Sequence, residues 1–156
     1  MKTEKATFAA GCFWGVEAAF REIKGVVSTQ AGYSGGNMDN PSYEDVCADE
    51  TGHAEAVEVT YDQSKVAYEA LLDVFWKNHN PTQLNRQGPD VGTQYRSAVF
   101  YHNEKQKNAA EKSLKEQQKK YKDKLVTEIK PASKFYRAEE YHQQYLEKRG
   151  LSTCHI

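Results

Sequence analysis

A handful of cysteine, glutamate, histidine and tyrosine residues in this chain have the types and settings for nucleophilic or acid–base chemistry. Cys12 stands in Gly11-Cys12-Phe13-Trp14-Gly15, between a short apolar run and a helical pattern. A helix N-terminus offers free N–H groups and the positive end of a dipole, which favour a thiolate. Flanking glycines let another molecule approach the backbone. These features favour a reactive thiol over the small buried apolar residue that a lone cysteine commonly is. No Lys, Arg or His lies between Lys5 and Arg21, so the expected resting group is a thiol that ionises when substrate arrives. Phe13 and Trp14 read either as core or as an apolar pocket beside a nucleophile.

Two further clusters and a few separate residues accompany Cys12. In Thr51-Gly52-His53-Ala54-Glu55, alternation puts Glu55 on the face of Val57 and Val59. It is either an edge-strand carboxylate in solvent or an inward carboxyl with a raised pKa, suited to donate a proton. His53 also allows a Cys–His nucleophile pair with Cys12. The run from Asn85 through Asp90, Tyr95 and Arg96 to Ser97 is dense in hydrogen-bonding groups and carries Gly88, Pro89 and Gly92. It reads as a loop that presents polar side chains, or as an ordinary self-bonded one. Tyr43 lies in another long loop, where only its place argues against plain packing. Cys154, third from the end, is badly placed for packing and well placed to swing onto another sulfur. Adjacent Cys154 and His155 rarely chelate one metal, and no second ligand pair is present, so a zinc site is not expected. Cys47 reads as structural.

The elements that must position these residues follow from periodicity. Residues 6–10 form a buried strand, and 14–23 carry apolar groups at helical spacing. A strand over 26–33 precedes a turn-rich loop over 34–51, too long to be idle in a compact domain. Residues 54–61 alternate as a half-buried strand, and Ser64 caps a helix over 65–79. A second loop spans 80–94. A strand over 97–101, a polar helix over 104–121, a strand over 125–129 and a helix over 138–149 complete the order. Two split βαβ halves of this kind predict an α+β domain with a ferredoxin-like core, a mixed sheet, and a C-terminal helix plus tail. One domain is expected over 1–156, with 146–156 a tail carrying Cys154.

Composition bounds the function. The chain has 156 residues, 38% of them apolar, and 21 Lys+Arg against 22 Asp+Glu leave a net charge of −1. That balance gives no electrostatic case for a nucleic-acid or anionic-membrane partner. No apolar run is long enough to span a bilayer, and the N-terminus shows no secretory signal. Three cysteines argue against a disulfide framework. A cytoplasmic monomer is the expectation. Ten of the eighteen aromatic residues are tyrosine.

Taken together, Gly11-Cys12-Phe13-Trp14-Gly15, Gly52-His53-Ala54-Glu55 and Gly92-Thr93-Gln94-Tyr95-Arg96-Ser97 closely resemble the A-type peptide methionine sulfoxide reductases, which act on the S epimer. Gly32-Tyr33-Ser34-Gly35-Gly36, Asn85-Arg86-Gln87-Gly88 and the run from Ala138 to Tyr145 extend the likeness over nearly the whole chain. The resemblance implies that Cys12 attacks the sulfoxide sulfur of free, peptide or protein methionine sulfoxide. Glu55 would protonate the oxygen while Tyr43 and Tyr95 hydrogen-bond it. Phe13 and Trp14 would enclose the methyl group, and Asp90 would orient the substrate. Cys12 would become a sulfenic acid, Cys154 would resolve it as a disulfide, and thioredoxin would recycle the enzyme, with no metal or organic cofactor. Cys47-Ala48-Asp49-Glu50 departs from the family's usual Ser/Thr-Gly pair before Thr51, and Cys47 stays open as an alternative resolver. The rival readings are a Cys12–His53 hydrolase or acyltransferase, and a non-enzymatic module whose Cys12 and Cys154 only toggle a disulfide.

Overall fold

The computed structural model describes residues 2–48 and 51–148. In chain order these form β1 (Thr3–Ala10), α1 (Phe13–Arg21), β2 (Val26–Ser34), α2 (Tyr43–Cys47), β3 (Ala54–Asp62) and α3 (Tyr68–Lys77). A small hairpin, β4 (Arg86–Gln87) and β5 (Asp90–Val91), leads to a 3-10 turn at Thr93–Tyr95. Then come β6 (Ser97–Tyr101), α4 (Glu104–Gln118), β7 (Glu128–Pro131), β8 (Tyr136–Arg137), a second 3-10 turn at Glu140–His142, and α5 (Tyr145–Lys148).

Six strands make one mixed sheet in the order β7-β6-β1-β3-β2-β8. Its inner four, β6-β1-β3-β2, have the order of a ferredoxin-like split βαβ pair, with α1 and α3 as the crossovers. Those pairings are antiparallel, as is β2 with β8, while β6 and β7 run parallel. The expected α+β class with a mixed sheet is therefore observed, extended by one strand at each edge.

The period-two alternation of the strands sorts the two faces. Phe8 of β1 and Val57 and Val59 of β3 pack with Phe13, Phe20, Leu71 and Phe75 from the helices. Phe8 stacks on Phe20 at 4.9 Å and meets Phe75 at 5.5 Å. The opposite face carries Ala9, Ala54, Ala56 and Ala98, small enough for the 132–135 segment to lie over it. Phe100 is the one large buried apolar side chain of that face, and the other large core side chains among the described residues lie on the face that α1 begins from.

Several boundaries differ from expectation for identifiable reasons. Ser64 does not cap α3, because its N–H and hydroxyl both donate to Asp62 Oδ1 (2.9 and 2.6 Å), and the helix starts only at Tyr68. The first long loop contains α2, closed by a reciprocal capping box between Ser42 and Asp45. The single helix expected over 138–149 is instead β8, a 3-10 turn and the four-residue α5. There the Gln143 carboxamide accepts from Ala31 N and donates to the carbonyls of Ala31 and Ala138. Gln144 takes a positive φ of 53°. Side-chain bonding to β2 outcompetes helix propagation.

Candidate active site

Cys12 is the N-cap residue of α1, with extended backbone angles (φ −56°, ψ 121°), and is half-buried. Gly11 before it has φ +95°, and a Cβ there would lie 2.8 Å from Gln87 Cγ. Glycine is required because the β4–β5 hairpin closes directly over the β1–α1 junction. Cys12 therefore sits at a helix N-terminus, as the sequence placed it, next to the glycine that the hairpin covers.

Glu55 lies on the core face of β3 and is only 1% exposed. Its Oε1 accepts the backbone N–H of Phe13 at 3.3 Å, which fastens it to the first turn of α1 beside Cys12. Its Oε2 is buried with no hydrogen-bond partner among the described residues. Burial raises its pKa from 4.5 to about 8; the Phe13 N–H opposes that rise, and the charge of Asp90 adds to it. At neutral pH this is a carboxylic acid holding a proton.

Tyr43, Asp90 and Tyr95 arrive from three separate short elements. Tyr43 opens α2, and its backbone N–H donates to Glu139 Oε2 at 3.0 Å. Its hydroxyl hydrogen-bonds Cys47, and burial raises its pKa well above that of a free phenol. Tyr95, in the first 3-10 turn, is raised by burial and then by the charges of Glu55, Cys47, Asp90 and Cys12. Both phenols therefore stay protonated as donors. Mutual electrostatic influence places Glu55, Tyr43, Tyr95, Asp90 and Cys47 around one site. Cys47, expected to be structural, is exposed at the end of α2 and bonded to Tyr43 and Gln94.

The apolar wall is built from Phe13 and Trp14 together with a residue the sequence did not single out. His142 accepts the Trp14 indole N–H on Nδ1 at 2.9 Å and lies 5.1 Å from the Phe13 ring and 4.4 Å from that of Tyr43. Trp14 also stacks on Tyr145 at 3.9 Å. Glu139 is a second unforeseen support, since its carboxylate takes both the Tyr43 N–H and the Tyr33 hydroxyl. The available signal was the polar, aromatic run from Ala138 to Tyr145, which helical spacing concealed.

His53 does not serve Cys12. Gly36 N–H donates to its Nδ1 at 3.0 Å, so its Nε2–H donates to the Met38 carbonyl at 2.7 Å. Both ring nitrogens are consumed in pinning the first long loop, and the Cys12–His53 nucleophile pair has no geometric basis. Among the described residues no cluster of three His, Cys, Asp or Glu side chains could hold a metal, and no helix is long and apolar enough to cross a membrane. Cys154 lies outside the described residues.

Comparison with known proteins agrees with this geometry. A family model described as peptide methionine sulfoxide reductase matches residues 4–156. A peptide methionine sulfoxide reductase A of Methanothermobacter thermautotrophicus is 61% identical over 155 residues, covering 98% of this chain and 92% of the relative. Among solved structures, Mxr1 from Saccharomyces cerevisiae in reduced form aligns with a TM-score of 0.92 at 38% identity, covering 98% of this chain and 89% of that one. The same yeast protein in complex with Trx2 aligns at 0.67 and 30% identity, covering 92% and 85%. The chain thus belongs to the peptide methionine sulfoxide reductase family, as an A-type oxidoreductase.

Proposed function

We propose that this chain reduces methionine-S-sulfoxide, free and within peptides or proteins, using Cys12 as nucleophile and Glu55 as acid. The observation that carries the assignment is the buried, protonated Glu55, fastened by the N–H next to Cys12 and with one oxygen unpartnered. A sulfoxide oxygen leaves sulfur poorly unless protonated, and an acid with pKa near the working pH is suited to supply that proton. Tyr43 and Tyr95 donate hydrogen bonds to the same oxygen, concentrating stabilisation where charge changes during reaction. Phe13 and Trp14 receive the methyl group, and Asp90 orients the substrate.

The balance is that of a two-electron oxygen transfer. The Cys12 sulfur bonds the sulfoxide sulfur while its own proton and that of Glu55 go to the oxygen, and the S–O bond breaks with loss of water. Water then attacks the Cys12 sulfur, the S–S bond breaks, methionine departs reduced, a proton returns to Glu55, and Cys12 is left as a sulfenic acid. The Cys154 thiol then displaces water from the sulfenic acid to form a disulfide. Thioredoxin, as a dithiol, exchanges with that disulfide and restores both thiols. The complex of yeast Mxr1 with Trx2 supports thioredoxin as reductant, and such a cycle suits the reducing cytoplasm.

Mixing the reduced protein with a methionine sulfoxide peptide in the absence of reductant tests this. One methionine should form per chain, and peptide mapping should join Cys12 to Cys154. Cys12→Ser should yield no methionine; full activity in that variant would overturn the assignment. A Cys12–Cys47 linkage in the map would transfer the resolving role to Cys47.

A further inference from the structure

Among the described residues five large apolar side chains stand exposed, and the two most open, Leu84 at 66% and Val91 at 73%, belong to the segment that carries Asp90. The Asn85 carbonyl accepts Gly92 N–H at 2.9 Å, and Arg86 pairs with Val91, so Leu84 and Val91 leave the hairpin at the same end. Cross-strand partners Gln87 and Asp90 share the other face. Gln87 is buried against Gly11, and Asp90 acts on Glu55. The hairpin is therefore a wall one strand pair thick, with an inner face on the Cys12 junction and an apolar outer edge in solvent. Arg86 extends that edge, because its guanidinium donates to the Gly88 carbonyl at 3.3 Å and leaves the aliphatic stem alongside Val91.

We infer that Leu84 and Val91 dock the residues flanking an oxidised methionine in a polypeptide substrate, favouring apolar neighbours. This rests on the proposed placement of methionine sulfoxide at Cys12. The occupant follows from continuity with that site. A methionine inserted beneath the hairpin must leave its neighbours, spaced about 3.3 Å per residue in an extended chain, draped over the hairpin's outer edge. An exposed apolar edge gains from covering by apolar side chains and gains nothing from serine. The chemical step is untouched, so the contribution falls on peptide selection.

The test compares two short peptides holding methionine sulfoxide between leucines or between serines, and the small substrate N-acetyl-methionine sulfoxide amide. The parent protein should favour the leucine peptide in kcat/KM. In the double variant Leu84→Ser/Val91→Ser that preference should collapse by about tenfold, with the small substrate changed by less than about twofold. Both positions are exposed, and circular dichroism with the small-substrate rate reports that the variant is folded. An unchanged preference in the variant, or its absence from the parent, overturns the inference. So does a rise confined to the thioredoxin KM, which would give the edge to the reductant instead. Failure of the small substrate in the parent would instead strike the proposed function itself.

Discussion

Cys12 and Glu55 are carried by α1, β1 and β3, whose contacts include Phe8, Phe13, Val57 and Phe75, all sealed from solvent. Tyr43, Asp90 and Tyr95 sit instead on a five-residue helix, a two-residue strand and a three-residue turn. The first region is positioned by close packing, so an isosteric change there alters protonation and leaves geometry alone. The second is positioned by a few hydrogen bonds between short segments, such as Glu139 to Tyr43 N–H and the Gln87 carboxamide to Asn80. Removing one of those bonds should displace a whole element. The proposed acid–nucleophile pair is built rigidly, and the groups proposed to surround the oxygen are hung upon it.

Glu55→Gln probes the packed region and should have the largest effect among substitutions that keep the nucleophile. Losing the proton donor should lower single-turnover reduction on the order of 10²- to 10³-fold. In the parent, kcat/KM should fall as pH rises past about 8, because the acid form is then lost; the variant should lack that limb. Stability gives a second readout. A carboxyl whose folded pKa lies above its unfolded value makes the native state bind more protons between pH 4.5 and about 8. Stability must therefore decline across that window as pH rises and level off above it. Glu55→Gln should remove this decline and be the more stable protein at pH 9, by an amount on the order of 5 kcal/mol. Chemical denaturation at pH 5 and pH 9 decides it; equal slopes in both proteins would mean that Glu55 is ionised when folded.

The same contrast explains what could be seen in the sequence. Alternation placed Glu55 on the face of Val57 and Val59, and glycine-flanked Cys12 at a strand–helix junction, because both follow from burial, which leaves a periodic trace. The inner four strands were legible for the same reason. Neither Glu139 nor His142 leaves such a trace. Their roles depend on tertiary hydrogen bonds to Tyr43 and Trp14 from residues about a hundred positions away, and the run holding them mimics a helix by spacing. The α2 helix did leave a local sign in Ser42 and Asp45, a capping pair lost among the loop's other turn residues. His53 was ambiguous because sequence cannot reveal that Gly36 and Met38 take both its nitrogens.

Glu139→Ala probes the hung region with an intermediate effect. Without its carboxylate the Tyr43 N–H loses its acceptor, α2 loosens and the phenol drifts from the oxygen. Single-turnover reduction should fall about tenfold, as should Tyr43→Phe. The Tyr43→Phe/Glu139→Ala double variant should be little worse than either single one, since both remove the same interaction. Full additivity in that cycle would show that Glu139 acts elsewhere, through the Tyr33 hydroxyl for instance. Glu139→Gln, which keeps an acceptor oxygen, should recover part of the loss.

Glu17 joins the two regions and should give the smallest catalytic effect. It is buried on α1, where Oε2 accepts the Thr29 hydroxyl at 2.8 Å and Oε1 accepts Gln144 N–H at 2.6 Å. That second bond fastens the C-terminal segment, through a residue of positive φ, to the helix that begins at Cys12. Glu17→Ala leaves a buried hydroxyl and an amide without their acceptor and should cost about 2 kcal/mol of stability. Methionine formation in a single turnover should be unaffected, because Phe13, Glu55 and the β1–α1 junction remain packed. Disulfide formation should slow several-fold, because the chain that leads to Cys154 loses one of its anchors on the core, leaving Gln143 on Ala31 and His142 and Tyr145 on Trp14 to hold it. Following methionine release and thiol loss in the same rapid-quench experiment separates the steps. If both slow together, Glu17 shapes the nucleophile itself, and the division between a packed region and a hung one fails at the point where they meet.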